Sequence, residues 1–361
     1  MGAYLSTPVT DKESLDASTA LLTYGVSEMQ GWRRSMEDAH VAACDLPLGW
    51  SMFAVFDGHG GTEVSKFCAR YMPKMIVDLQ AYRKGDMPAA MIEVFHKMDD
   101  MLRTPLYVEE IKKLRNKSDV QEEEEEEEVE AGGQDVARAD LFHRLLTLKR
   151  LMDNGGQNAA AAAEEENPVC RLPEHDIQAG CTAVVCVMSE KELIVANAGD
   201  SRAVLCRAGK AIALSYDHKP NHDTERNRIV AAGGFVTDMH GQHRVNGNLN
   251  LSRAIGDLKY KSIKNLPSKD QIITAEPDII TQQRSAEDEF VIIACDGVWD
   301  CMTNQQCVDF VRERLTPGRK PSAVVEELLD HCLAKDPKEA QGIGCDNMTG
   351  IIVRFNRPPP K

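Results

Sequence analysis

The chain has 361 residues, 42% of them hydrophobic, which is long enough for one large domain or two around a sizeable core. Its formal charge of −15 lacks the basic footprint of a general nucleic-acid binder, so no direct nucleic-acid partner is expected. No apolar run approaches the roughly 20 residues that span a bilayer.

In chain order, the N-terminus Met1-Gly2-Ala3-Tyr4-Leu5-Ser6 lacks the basic start of a secretory signal but matches M-G-x-x-x-[ST], the acceptor pattern for N-myristoylation at Gly2. One acyl chain beside a single early cation, Lys12, predicts weak and reversible membrane association. A buried strand is predicted at 52–56, then helices over 62–79 and 88–102, the second with Pro88 at a preferred start. Seven consecutive glutamates, 122–128, dominate the next stretch, with a helical apolar spacing at 140–152 and an alanine run at 159–163. This reads as an acidic, low-complexity insertion over 104–176, a partner for basic proteins. The other reading is a solvated charged helix. Strands follow at 182–188, 193–197 and 203–206, a helix at 224–232, and a strand at 290–295. Helices at 304–315 and 322–333 precede a last strand at 350–355. Strands cluster before and after helices rather than alternating strictly, which favours an α+β sandwich over a doubly wound parallel sheet.

Eleven cysteines sit mostly inside apolar runs, with no C-x-x-C pair. They read as free buried thiols in a reducing compartment, cytoplasmic or also nuclear. Four aspartates stand at the ends of apolar strands: Asp57 in Asp57-Gly58-His59-Gly60, Asp200 in Gly199-Asp200-Ser201-Arg202, Asp296 in Cys295-Asp296-Gly297, and Asp346 before the final strand. One such aspartate is most often a turn former. Several that converge would repel one another, and an all-oxygen set suits magnesium or manganese. Spacing alone does not establish convergence. Other schemes fail: there is no H-E-x-x-H, no cysteine with an arginine six positions on, no G-x-S-x-G and no phosphate-binding G-x-x-x-x-G-K-[ST]. His218 and His222 flank a proline and read as a turn.

Six segments carry a resemblance: Gln30-Gly-Trp-Arg-Arg-Ser-Met-Glu-Asp-Ala-His40, Val55-Phe-Asp-Gly-His-Gly60, Ala198-Gly-Asp-Ser-Arg202, Leu251-Ser-Arg-Ala-Ile-Gly-Asp257, Ala294-Cys-Asp-Gly-Val-Trp-Asp300 and Asp346-Asn-Met-Thr349. In this order and spacing the chain resembles the metal-dependent protein phosphatases of type 2C, over about 24–104 and 177–355. The acidic insertion and the opening residues look most like the gamma type, although the tail after 355 lacks that type's lysine-rich extension.

The resemblance implies a four-layer αββα sandwich of two antiparallel sheets with a metal cleft at one end. It implies a catalytic domain over 24–355, an N-terminal segment 1–23 and a short tail 356–361. It further implies two core Mg2+ or Mn2+ ions, held by Asp57, the carbonyl of Gly58, Asp296 and Asp346. A weaker third ion would sit at Asp200, Asp296 and Asp300. Glu37 and Asp38 would hold metal-bound waters, Arg33 would grip phosphate, His59 would be the general acid, and Asp257 would support rather than ligate. The activity implied is hydrolysis of phosphoserine and phosphothreonine in phosphoproteins by a monomer. The rival readings are a pseudophosphatase and an acidic binding module.

Overall fold

The computed structural model describes residues 4–115, 177–239 and 241–356. Gly2, the glutamate run, the helix expected at 140–152 and the tail beyond 356 lie outside the described residues. The chain begins with strands β1 (Val9–Ser18), β2 (Leu22–Gly31), β3 (Ala39–Leu46) and β4 (Trp50–Phe56). The short β5 (Gly58–His59) leads to helices α1 (Glu63–Asp78), α2 (Gln80–Arg83), α3 (Met87–Leu102) and α4 (Val108–Leu114). Next come β6 (Gly180–Cys181), β7 (Ala183–Met188), β8 (Glu192–Ala198), β9 (Arg202–Arg207) and β10 (Lys210–Ala213). Helix α5 (Asp223–Ala231), hairpin strands β11 (Val236–Met239) and β12 (Gln242–Val245), and β13 (Ile255–Gly256) follow. The chain closes with β14 (Asp278–Gln283), β15 (Asp288–Ala294), α6 (Asp296–Trp299), α7 (Asn304–Arg314), α8 (Pro321–Cys332) and β16 (Met348–Phe355).

Two antiparallel sheets, in the orders β1-β2-β16-β15-β9-β10 and β14-β8-β7-β4-β3, stack face to face. The period-two geometry of a strand explains how each residue finds its layer. Along β4, Phe53 and Val55 point between the sheets, whereas Met52, Ala54 and Phe56 pack on the α1 and α3 side. On β15, Val291 and Ile293 face the other sheet, while Phe290, Ile292 and Ala294 pack against α7 and α8. Both faces are therefore buried, and these strands read as unbroken apolar runs. The result is the expected αββα sandwich. A separate apolar cluster of Ile229, Val245, Leu251, Tyr260 and Ile273 supports the β11–β12 hairpin beside it.

Strands β2, β3, β10, β11, β12 and β14 are additional to those predicted, and two segments differ from the domain bounds read from the sequence. β1 lies inside the segment 1–23 set apart above, yet it is the edge strand of the larger sheet, in register with β2 from Lys12↔Met29 to Ser18↔Thr23. Almost all of its residues are exposed, so it carries no apolar period. Polar ties to α8 hold it instead: Lys12 Nζ to Asp330 at 2.6 Å and Ser14 Oγ to Glu326 at 2.7 Å. The second segment is 104–115, the start of the expected insertion. Ile111 of α4 is buried in the α1–α3 core, and Thr62 Oγ1 donates to Leu114 O at 2.7 Å. The domain therefore continues to at least Arg115.

Candidate metal centre

Antiparallel pairing brings the candidate carboxylates to one end of the sandwich. Ala39 pairs with Phe56, so Asp38 at the start of β3 lies beside Asp57 at the end of β4. Ala294 pairs with Gly350 and with Arg202, so Asp296 after β15, Asp346 before β16 and Asp200 before β9 share that end. Met29 pairs with Met348, which delivers the loop after β2, with Arg33 and Glu37, to the same place. A cleft of about 480 Å³ opens there, lined by Arg33, Glu37, Arg244, Asp296, Asp300 and Asp346. Every site residue named from the sequence except Gly2 is described.

Local contacts fix the individual groups. Asn347 holds the β2–β3 loop: its Nδ2 donates to Gln30 O at 2.8 Å and Ser35 O at 2.9 Å, and its Oδ1 accepts from Glu37 N–H at 2.9 Å. Glu37 Oε1 accepts from Ser35 Oγ at 2.8 Å. Gly58 allows close approach here, since a Cβ at that position would lie 2.3 Å from Glu37 O. Thr349 Oγ1 donates to the buried Asp38 at 2.7 Å. Arg33 places Nη2 2.5 Å from Asp346 Oδ2. His59 Nε2 lies 2.7 Å from Oδ2 of the buried Asp257, a residue in the left-handed region with φ of 49°. That pair passes directly over Gly180, where a Cβ would come within 2.4 Å of Asp257 Oδ2 and 2.6 Å of His59 Nε2.

The electrostatics are those of crowded negative charge that Arg33 on Asp346 and Lys219 on Asp200 offset only in part. Burial first, then the charges of Asp296, Asp38, Asp346 and Asp200, push the Asp57 carboxyl well above the usual range. Burial with Asp200, Asp346 and Asp300 does the same to Asp296. Asp38 is pushed up to about 7, chiefly by burial. Asp300 is also raised, again mainly by burial. At His59 burial disfavours the charged ring, but Asp257 outweighs it and the imidazole pKa is raised.

Such a set fits hard divalent cations. The nearest soft donor, Cys295 Sγ, lies in one group with Asp38 and Asp57, all within 4.8 Å. Burial and the carboxylates push that thiol up, and its sulfur accepts from Thr349 N–H at 3.1 Å. Hard cations prefer the carboxylate oxygens beside it. His218, also read as a turn residue, accepts from Gly199 N–H at Nδ1 (3.2 Å) and meets Asp278 at Nε2 (3.1 Å).

Sequence reasoning missed Asn347 as the clamp of the β2–β3 loop and Lys219 as a cation in the carboxylate group, its Nζ 2.5 Å from Asp200 Oδ2. Asn347 stood inside a quoted motif, next to Asp346. Lys219 gave only the signal of a basic residue in the turn Asp217-His218-Lys219-Pro220.

Comparison with known proteins gives the family. The family profile described as Protein phosphatase 2C matches residues 22–120 and 134–340. The Arabidopsis thaliana "Probable protein phosphatase 2C 60" is 45% identical over 363 residues, covering 100% of this chain and 94% of its own. "Protein phosphatase 1G" from Bos taurus is 34% identical over 507 residues, covering 98% and 93%. Among solved structures, the serine-threonine phosphatase 2C from Toxoplasma gondii superposes with a TM-score of 0.61 at 20% identity, over 96% of this chain and 99% of that one, a likeness of fold. The chain belongs to the protein phosphatase 2C family of metal-dependent serine/threonine phosphatases.

Proposed function

We propose that this chain hydrolyses phosphoserine and phosphothreonine in proteins, with Asp57, the Gly58 carbonyl, Asp296 and Asp346 holding two Mg2+ or Mn2+ ions. The observation that carries the reading is the convergence of Asp38, Asp57, Asp296 and Asp346 at one end of the sandwich, where burial and neighbouring carboxylates push Asp57 and Asp296 above their usual range. The ions would supply a bound water of lowered pKa and neutralise the phosphate dianion. Glu37 and Asp38 would orient waters of that site, and Asp200 with Asp300 would border a third position. Arg33, exposed in the cleft, would grip phosphate with its planar fork of donors. A serine or threonine alkoxide leaves poorly without a proton, and His59 would donate one. With Nε2 on Asp257, Nδ1 is the atom that would hand it over.

The test is phosphate release from a phosphothreonine peptide by the whole chain, with and without chelator. Turnover that vanishes on chelation and returns with Mn2+ supports the reading, and full turnover in the chelated protein overturns it. A pseudophosphatase is not favoured, because the carboxylates needed for the ion pair are present and adjacent. The gamma-type affiliation, docking of basic proteins on the acidic insertion, and acylation of Gly2 with a minor membrane fraction are proposals from sequence features.

A further inference from the structure

The turn Asp217-His218-Lys219 grips the turn Gly199–Arg202 residue by residue. Arg202 donates Nε and Nη2 to the two oxygens of Asp217 at 2.5 and 2.9 Å. His218 N–H donates to Gly199 O at 2.9 Å, while its ring accepts from Gly199 N–H. Lys219 Nζ lies 2.5 Å from Asp200 Oδ2. The lysine is therefore anchored on its N-terminal side by a buried, doubly bonded histidine and followed by Pro220, which restricts its backbone. Asp200 is 2% exposed, and a carboxylate so placed needs a counter-charge. Lys219 also lines a pocket of about 230 Å³ with Asp296 and Asp300.

We infer that Lys219 is a tethered cation occupying the position expected for a third divalent ion at Asp200, Asp296 and Asp300, and that such an ion binds only by displacing it. The inference rests on the two-ion reading of the neighbouring carboxylates. An ammonium and a divalent ion that share the buried Asp200 carboxylate repel each other. Asp200 is paired at 2.5 Å with a largely buried lysine, whereas Asp346 of the core set is paired with Arg33, an exposed side chain of the open cleft. The core pair is thus left to cations from solution, and the third position is closed until Lys219 swings away. A merely structural Lys219–Asp200 pair would change thermal stability without changing how many ions bind.

The experiment is a Mn2+ titration of the metal-free chain by calorimetry, without substrate, on the wild type, Lys219→Met, Lys219→Arg and the double variant Lys219→Met/Asp200→Asn. Two tight ions are expected in the wild type, with any third at least tenfold weaker. Lys219→Met should tighten the third at least tenfold, Lys219→Arg should behave as wild type, and the double variant should lose the third ion again. Third-ion affinity unchanged in Lys219→Met, with the two tight ions retained, overturns the inference alone. Absence of any tight ion in the wild type overturns the two-ion reading and this inference with it. Should Lys219→Met not fold, anomalous diffraction from wild-type crystals in Mn2+ decides. A third peak beside Asp200 with the ammonium still on that carboxylate is the contrary result. Either no third peak or a third peak with Lys219 swung out is the expected one.

Discussion

Two groups of charged side chains are withdrawn from water in this molecule, and they are built on opposite plans. Below the β11–β12 hairpin, Glu225 accepts from Arg253 Nη2 at 2.7 Å, Arg228 Nη1 at 2.6 Å and Ser252 Oγ at 2.7 Å. Arg253 also reaches Asp278 at 2.8 Å. Two arginines thus face the buried Glu225, and Arg253 extends to Asp278 at the surface. Burial alone would raise the Glu225 pKa, but Arg253 and Arg228 hold it down at about 2. At the end of the sandwich Asp38, Asp57 and Asp296 are instead pushed up by burial and by neighbouring carboxylates. Burial is common to both groups, and charge balance separates them. A balanced cluster closes the fold on itself, whereas an unbalanced one marks the place of a cation that the chain does not supply.

The largest effect that would break this contrast is on turnover. Asp57→Asn or Asp296→Asn should lower phosphate release by at least about a hundredfold, since each removes charge aimed at the reacting centre. The same substitutions should raise the unfolding temperature of the metal-free protein, because they relieve repulsion. Loss of stability in both would contradict the electrostatic reading of the cluster.

His59→Ala should cost about a hundred- to ten-thousandfold on a phosphoserine peptide and much less on an aryl phosphate, whose leaving group needs little protonation. Gly180→Ala should follow the same pattern, since its methyl would wedge between His59 and Asp257. Equal losses on both substrates would remove the general acid from the account.

The balanced cluster should answer oppositely to the carboxylate end. Glu225→Gln is expected to destabilise the fold by about 3–5 kcal/mol, as it leaves buried arginine charge unpaired, with chemical denaturation as the readout. The pH dependence has a definite sign. The folded-state pKa of Glu225 lies below its unfolded value, so its contribution is complete above about pH 4 and is lost as pH falls through about 2. An acid-unfolding curve should therefore be less steep in Glu225→Gln over that window, and an identical curve would count against the pairing.

How much of this was legible in the sequence follows from which interactions are local. Asp57 announced itself because β4 is apolar on both faces and ends abruptly in Asp57-Gly58-His59. The same held for Asp296 after β15. Their meeting was not legible, since it depends on pairings such as Ala39↔Phe56 and Ala294↔Gly350 between segments far apart in the chain. Family resemblance supplied that step. β1 escaped notice because polar ties to α8, not an apolar face, fix it. Lys219 escaped because a lysine in a proline turn looks like any surface cation until Asp200 is found 2.5 Å away. The smallest expected effect concerns the N-terminus, where mass analysis from a myristoylating host should find Gly2 acylated and only a minor, exchangeable membrane fraction.

The most direct test of the central claim is thermal unfolding of the chelated chain before and after Mn2+ is added, beside Asp57→Asn. The carboxylate cluster, if it is a cation site, binds the ion in the folded state, so the wild-type midpoint should climb with Mn2+ concentration while the variant responds weakly or not at all. A wild-type midpoint that ignores Mn2+, or a variant that responds as strongly as the wild type, would contradict it.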